Sequence, residues 1–404
     1  PLPPPSPDKP LASSAPPPPE ANPSETSKLA PALDAGAGAA MGGGEAAVLR
    51  NAAGAEVEVI ARGAAVTRWV VPGRAGEPAA DVALGLGSGA DPAGRDAAYA
   101  EANPAYLGVV VGRVANRISG AAFPLGGRQV KVAANVGGST CLHGGPGGFH
   151  RAVWQMERLE RGKEHAEAAA VRLTHVSPDG DQGFPGRLTC QVTYRLARET
   201  NRLWVDFKAY VEGSASPVNL AQHTYFNLGG HASGDVRDHV ATLYADAYTP
   251  LDADLIPTGE VQPVAGTALD FRAGRAFGER LAEVGGDPKG YDFNYVPYPE
   301  GHEDFIRAPG LQSDGMRLVA DVHHPASGRA MMLFTDAPGV QLYTGNFLDG
   351  SFEGKEGCRY GQYAGFCLET QGFPDAVNVP AFPSVILEPG DVYAHHMAYD
   401  MYVK

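Results

Sequence analysis

The sequence predicts an all-β fold, a large antiparallel two-sheet sandwich, and three observations carry that expectation. Apolar residues recur with a period of two in one segment after another. Glycine (52) and proline (34) punctuate the 404 residues throughout, as turns between short strands require. Helix-period stretches are short and few, and residues 275–284 form the best of them. No fixed repeat of the kind that builds a propeller is present.

Residues 1–43 are a different material from the rest. Twelve of the 34 prolines lie in the first forty residues, and no aromatic residue appears before Trp69. Such a segment buries too little apolar surface to offset its ordering entropy, so a disordered Pro/Ala-rich tail is expected. It contains no arginine and no apolar run of the signal-peptide type. One β domain is expected over residues 44–404.

Within that domain, Val57 and Val59 alternate with Glu56 and Glu58 after a turn at Asn51-Ala52-Ala53-Gly54. Val171, Leu173 and His175 predict a strand before the turn-rich Ser177-Pro178-Asp179-Gly180. Leu188, Cys190, Val192, Tyr194 and Leu196 alternate with polar or small residues. After the turn at Arg198-Glu199-Thr200-Asn201, Leu203, Val205, Phe207, Ala209 and Val211 repeat the pattern. Two such runs across a short polar loop read as an antiparallel hairpin with one wet face.

Composition narrows the function classes. A net charge of −14 with 19% charged residues argues against nucleic acid or an anionic membrane as partner. Cys141, Cys190, Cys358 and Cys367 show no Cys-x-x-Cys spacing, which points to reduced thiols and a cytoplasmic location. No apolar run approaches the ~18 residues of a membrane helix. A monomer or weak homodimer is expected.

The chemistry concentrates in a few segments. Phe366-Cys367-Leu368-Glu369-Thr370-Gln371 puts a carboxylate inside a short apolar strand that runs into a Gly-Phe-Pro turn. A buried carboxylate is costly without partners or a chemical task. Gly112-Arg113-Val114-Ala115-Asn116-Arg117-Ile118 follows an apolar strand expected over residues 107–111. Leu142-His143-Gly144-Gly145 sits in a Gly-rich loop, and Ala221-Gln222-His223-Thr224-Tyr225-Phe226 places a histidine in a strand-like segment. Tyr291-Asp292-Phe293 sets an aspartate between aromatics, and Gln341-Leu342-Tyr343-Thr344-Gly345-Asn346 precedes Glu369. Taken singly, each has a plainer reading: a hydrogen-bonded core histidine, a surface arginine, a turn-forming aspartate.

Taken together and in order, these segments resemble the aldose 1-epimerase (galactose mutarotase) family. The resemblance runs from about residue 45 to the end of the chain, closing with Pro383, Leu387, Pro389, Gly390 and Tyr393. It implies a β-supersandwich with an open sugar cleft, Glu369 as general base and His223 as general acid. His143, Arg117, Asn116, Asp292 and Gln341 would hold the sugar or polarise its ring oxygen. Three departures are visible: Gln222 stands where the family commonly has Asn, Phe293 follows Asp292 where a His is frequent, and Thr140-Cys141 replace an Asn-containing pair.

The residues suit the implied reaction. Exchanging anomers needs a proton removed from the O1 hydroxyl while another is given to the ring oxygen, which one base and one acid accomplish. No metal or redox cofactor is expected. Burial raises a carboxyl pKa toward neutrality, which suits Glu369, and an ordinary histidine pKa near working pH suits His223. The pairs His323-His324 and His395-His396 are poor chelates, because neighbours on a strand point to opposite faces. Gly144-Gly145-Pro146-Gly147-Gly148 lacks the Lys-Ser/Thr of a phosphate loop. Three rivals remain at this level: a hexose-6-phosphate epimerase, a glycosidase using Asp292 with Glu369, and a non-catalytic sugar-binding protein.

Overall fold

The alternating segments pair into two main antiparallel sheets and a smaller N-terminal one. The computed structural model describes residues 44–87, 92–101, 103–159, 168–297 and 315–404. The tail expected over residues 1–43 lies outside the described residues. A nine-stranded sheet has Arg187–Ala197 and Asn201–Glu212 near its centre, flanked by Ala168–Ser177 and the last strand, Tyr393–Val403. Leu196 faces Leu203 and Cys190 faces Ala209, so the hairpin has the expected register. Its apolar positions are fully buried while Arg187, Lys208 and Glu212 stay exposed, giving the expected wet face.

The second main sheet has five strands, and three of them carry the site. Asp292–Val296 pairs with Gly339–Tyr343, which pairs with Cys367–Gln371. Side chains alternate across a strand, so this sheet has two unlike faces. Tyr295, Val340, Leu342 and Leu368 join the principal core with Phe207, Met397 and Tyr399 of the larger sheet. Asp292, Gln341 and Glu369 belong to the other set. Between the sheets lies a buried polar link. His395 takes Thr370 Oγ1 on Nε2 at 2.8 Å and donates from Nδ1 to the Leu220 carbonyl at 3.2 Å. One imidazole thereby joins the strand of Glu369 to the segment leading into His223.

Two expectations fail. Residues 275–284 are not helical: Arg275–Ala276 is a short strand, followed by a single 3₁₀ turn at Leu281–Glu283. Their backbone is used elsewhere, with Phe277 N donating to His239 O and Gly278 N to Arg237 O. The α-helix among the described residues is Pro92–Glu101. Pro92 at its first position and the following alanines were the available signal. The strand expected over residues 107–111 contracts to Val110–Val111, which pairs with Ala221–Gln222.

Glu58 alternates with Val57 and Val59 yet is buried like them. It is only 4% exposed, because the helix covers that side of the N-terminal sheet. Arg95 of the helix and Thr67 Oγ1 both hold its carboxylate, at 2.5 and 2.6 Å. A buried carboxylate needs such partners. The same helix leads into the segment 103–108, which forms one wall of the cleft.

The buried histidines make fold stability sensitive to acid. Burial pushes His150, His175 and His395 each down to about 4. An unfolded chain takes up these protons near pH 6.5 and the folded chain only near 4, so stability falls as pH drops through that window. Raised carboxyl pKa values at Asp292, Asp336 and Glu369 act in the opposite direction. The melting temperature is expected to fall by roughly 5 °C or more between pH 7 and pH 5. A flat or rising melting temperature over that range in scanning calorimetry would contradict the burial of these rings.

Candidate active site

Strand alternation aims the polar face of the five-stranded sheet at a cleft of about 310 Å3. Asn294, Gln341 and Glu369 stand in one cross-strand row, and Asp292, Tyr343 and Cys367 in the next. Gln341 Nε2 donates diagonally to Asp292 Oδ1 at 2.7 Å, and Gln371 Nε2 donates to Gln341 Oε1 at 3.3 Å. Gln371 was not singled out in the sequence, although its position two residues beyond Glu369 puts it on the same face.

The loops supply the other half. His223 follows the short strand Ala221–Gln222, and its Nε2 lies 3.6 Å from Glu369 Oε1. Its Nδ1 faces the Cys367 thiol at 3.6 Å. His143 packs edge-on against the His223 ring, with centroids 5.1 Å apart. Asn116 and His143 both adopt left-handed backbone (φ 60° and 52°), a conformation that is costly for histidine and held only by its surroundings. The Asn116 N–H donates to His143 Nδ1 at 3.2 Å, and the His143 N–H donates back to Asn116 O at 2.9 Å. Gly144 makes this packing feasible: it has φ 84°, and a Cβ there would collide with the Gly112 carbonyl. Arg117 reaches Asp292 Oδ2 at 3.9 Å and Asn116 Oδ1 at 3.4 Å. The other arginine of that segment, Arg113, is spent on Ser177, Pro178, Pro185 and Ser216.

All seven residues singled out in the sequence therefore converge. Six of them line the cleft: Glu369, His223, His143, Arg117, Asn116 and Asp292. Gln341 stands behind Asp292 and orients it. The three departures fall outside the lining. Gln222 uses its amide on Gly108 O and Thr224, and Phe293 points to Tyr248 on the opposite face. Thr140 and Cys141 precede the cleft residue Leu142. Tyr106 was missed. It lies in the loop after Pro104 with φ 57°, its ring 4.7 Å from His143 and 4.8 Å from His150, and no local pattern announces that position.

Burial dominates the electrostatics. The Glu369 carboxyl is pushed well above its ordinary range, first by burial and then by the Asp292 carboxylate, with Arg117 opposing. Asp292 is raised by burial against Arg117 and Gln341. His223 is pushed down to about 4 by burial, which corrects the expectation of an ordinary value near working pH. His143 is lowered strongly by burial and further by His223, Arg117 and His150. Glu369 Oε2 is buried and has no hydrogen-bond partner among the described residues. A buried carboxylate oxygen without a partner, on a residue that lines the cleft, is suited to accept a hydroxyl proton.

His143, His223 and Glu369 bring ligand atoms within 4.8 Å of one another, the donor set of a two-histidine, one-carboxylate metal site. The His143 tautomer opposes that use. Its Nδ1 accepts the Asn116 N–H, so the neutral ring carries its proton on Nε2. A metal on Nδ1 would displace Asn116, and one on Nε2 would have to displace that proton. The adjacent pair His395-His396 behaves as expected, with His395 on Thr370 and His396 on Asp206 from opposite faces.

Comparison with known proteins agrees with the geometry. Residues 45–400 match the aldose 1-epimerase family. Galactose mutarotase from Homo sapiens is 42% identical over 339 residues, covering 84% of this chain and 89% of the human protein. Aldose 1-epimerase from Escherichia coli K12 is 36% identical over 295 residues, 72% of this chain and 78% of that protein. Among solved structures, an aldose epimerase homologue from C. elegans superimposes with a TM-score of 0.73 at 27% identity, covering 89% and 99% of the two chains. Galactose 1-epimerase from Lactobacillus acidophilus gives 0.70 at 26% identity, covering 88% and 93%. With a β-sandwich, a buried carboxylate facing a histidine, and this extent of sequence identity, the chain belongs to the aldose 1-epimerase family.

Proposed function

We propose that the protein interconverts the α and β anomers of free aldohexoses, galactose and glucose among them, by acid/base-catalysed ring opening. The observation that carries this reading is the unpartnered Oε2 of buried Glu369, with His223 at 3.6 Å from the same carboxylate. Glu369 takes the O1 proton as His223 delivers one to O5, and the C1–O5 bond breaks to leave the open-chain aldehyde. Rotation about C1–C2 presents the other carbonyl face, and closure returns both protons with the roles reversed. The pair needs one proton between them. With the carboxyl raised and the imidazole lowered, a single proton is shared over a wide pH range, and the bound sugar draws it into the charge-separated form.

The remaining groups suit a polyol. His143 offers its Nε2–H to an oxygen of the ring, and Arg117, Asn116 and Asp292 offer donors and acceptors to hydroxyls. Tyr225 and Tyr343 give the apolar C–H face of a sugar an aromatic wall. A sugar phosphate fits poorly. Among the described residues Arg117 is the one Lys or Arg side chain lining the cleft, it lies beside Asp292, and Glu369 and Asp349 add further acid. The adjacency of Glu369 and His223 favours catalysis over simple binding. This chain supplies the proposed acid, base and sugar-holding groups from its own residues, which suits a monomer or weak homodimer, and the unpaired cysteines suit the cytoplasm. Among the described residues no helix is long and apolar enough to cross a membrane.

Polarimetry of freshly dissolved α-D-galactose and α-D-glucose tests the proposal. The folded protein is expected to accelerate the approach to the equilibrium rotation for both. Acceleration of a hexose 6-phosphate alone, or of nothing, would refute it.

A further inference from the structure

We propose that Cys367 is a positioning residue for proton transfer: its sulfur accepts the Nδ1–H of His223 and so keeps the Nε2 of that ring free to exchange the working proton with Glu369 and the sugar. This rests on the anomer-exchanging reading of Glu369 and His223 and deepens it, by naming what sets the state of the acid.

Cys367 and Glu369 stand two residues apart on one strand, so their side chains leave the same face of the sheet. His223 spans both. Its Nε2 lies 3.6 Å from Glu369 Oε1, and its Nδ1 lies 3.6 Å from Cys367 Sγ. The thiol is fully buried behind the ring rather than lining the cleft, so it acts on the sugar only through His223. The backbone of His223 is tied on both sides, its N–H to Val109 O and its carbonyl to the Gly108 N–H, each at 2.9 Å. Tyr106, His143 and Tyr225 pack around the ring with centroids 5.1 to 6.0 Å away. The imidazole is thereby held with one nitrogen on the base and the other on sulfur.

Proton counting selects the tautomer. The reaction needs Glu369 Oε2 free to take the O1 proton, so the single proton of the pair lies between Oε1 and Nε2. Nε2 must then present a lone pair whenever that proton is on the carboxyl, which leaves the ring's other hydrogen on Nδ1. Nδ1–H stays in place while Nε2 gains the proton, delivers it to O5 and recovers it as the sugar ring closes. Sulfur suits this post because it is a weak acceptor. A carboxylate there would hold the imidazolium and make the Nε2 proton reluctant to leave. Burial first, then Glu369 and Asp292, push the Cys367 thiol well above its ordinary range, so it stays neutral and supplies no such charge. The His223 carbonyl also favours a proton on the ring. His143 is set the opposite way, by the Asn116 N–H on its Nδ1. The two histidines thus present different tautomers to the sugar, one a constant donor and the other able to exchange a proton.

Nitrogen NMR of the full chain labelled in its histidine rings reads the tautomer directly, with the His223 signals identified by their loss in His223→Asn. Near neutral pH the wild-type ring is expected to carry its proton on Nδ1. Cys367→Ala is expected to mix the two tautomers and to lower kcat for galactose about fivefold, with KM within about twofold. Cys367→Ser, whose hydroxyl also accepts, is expected to return the Nδ1–H form and about half of the rate or more. A wild-type ring with its proton on Nε2 overturns the inference, and that measurement needs no variant to fold. An alanine variant with an unchanged tautomer overturns it too, whether its rate is unchanged or its loss lies in KM, because packing alone would give that result. Failure of the wild type to act on galactose would overturn the activity reading on which this rests, and polarimetry separates that result from a misplaced proton.

Discussion

Glu369→Gln is expected to lower kcat by at least ~10²-fold and to raise the melting temperature at the same time. The amide keeps the shape of the side chain but cannot take the O1 proton. The stability gain follows from the direction of the carboxyl shift. Burial and Asp292 raise the folded-state pKa above its unfolded value, so the group favours folding at low pH and opposes it as pH rises through the folded value. At pH 7 to 8 the native chain therefore bears either a retained proton or a buried charge, and the glutamine removes that cost. A rise of about 2–4 °C is the expected scale, shrinking toward zero below about pH 4.5. Calorimetry of both proteins at pH 4 and pH 7.5, beside polarimetry, measures the two effects. Near-wild-type turnover in the folded variant would remove Glu369 from the role of base. A melting temperature lowered at pH 7.5 would show that the carboxylate is stabilised by partners the structure does not place there.

His223→Asn and His143→Asn are expected to fail in different ways. Loss of the proton donor to O5 should lower kcat and kcat/KM together, because that interaction is made in the transition state. Loss of a donor that contacts sugar equally in both states should mainly raise KM. The wild-type rate should follow a bell in pH whose limbs belong to the Glu369–His223 pair, the acid limb near His223's value of about 4 and the alkaline limb at the raised value of Glu369. Without His223, only ionised Glu369 is required, so the residual rate of His223→Asn should rise with pH and lose its alkaline fall. An alkaline limb lost in His143→Asn, with only KM changed in His223→Asn, would exchange the two roles.

Much of the molecule is legible in its sequence, for a local reason. Side chains alternate on a strand whatever surrounds it, so Leu188 to Leu196 and Leu203 to Val211 announce a hairpin by themselves. The same rule marks Glu369 as a carboxylate in a buried strand and separates His395 from His396. Segment order adds the family, and with it the seven residues that converge on the cleft.

What the tertiary structure decided depends on contacts between residues far apart in the chain. The register Asn294–Gln341–Glu369 and the approach of His223 to that row are set by sheet packing, and no local pattern encodes either. Glu58 is buried by a helix more than thirty residues away, and residues 275–284 read as a helix until their backbone finds partners at Arg237 and His239. The lowered pKa of His223 has the same origin: it comes from depth, which alternation along one strand cannot report. The chain by itself determined which groups are available for proton transfer. Folding decided that Glu369 and His223 stand 3.6 Å apart, with burial shifting both toward their neutral forms.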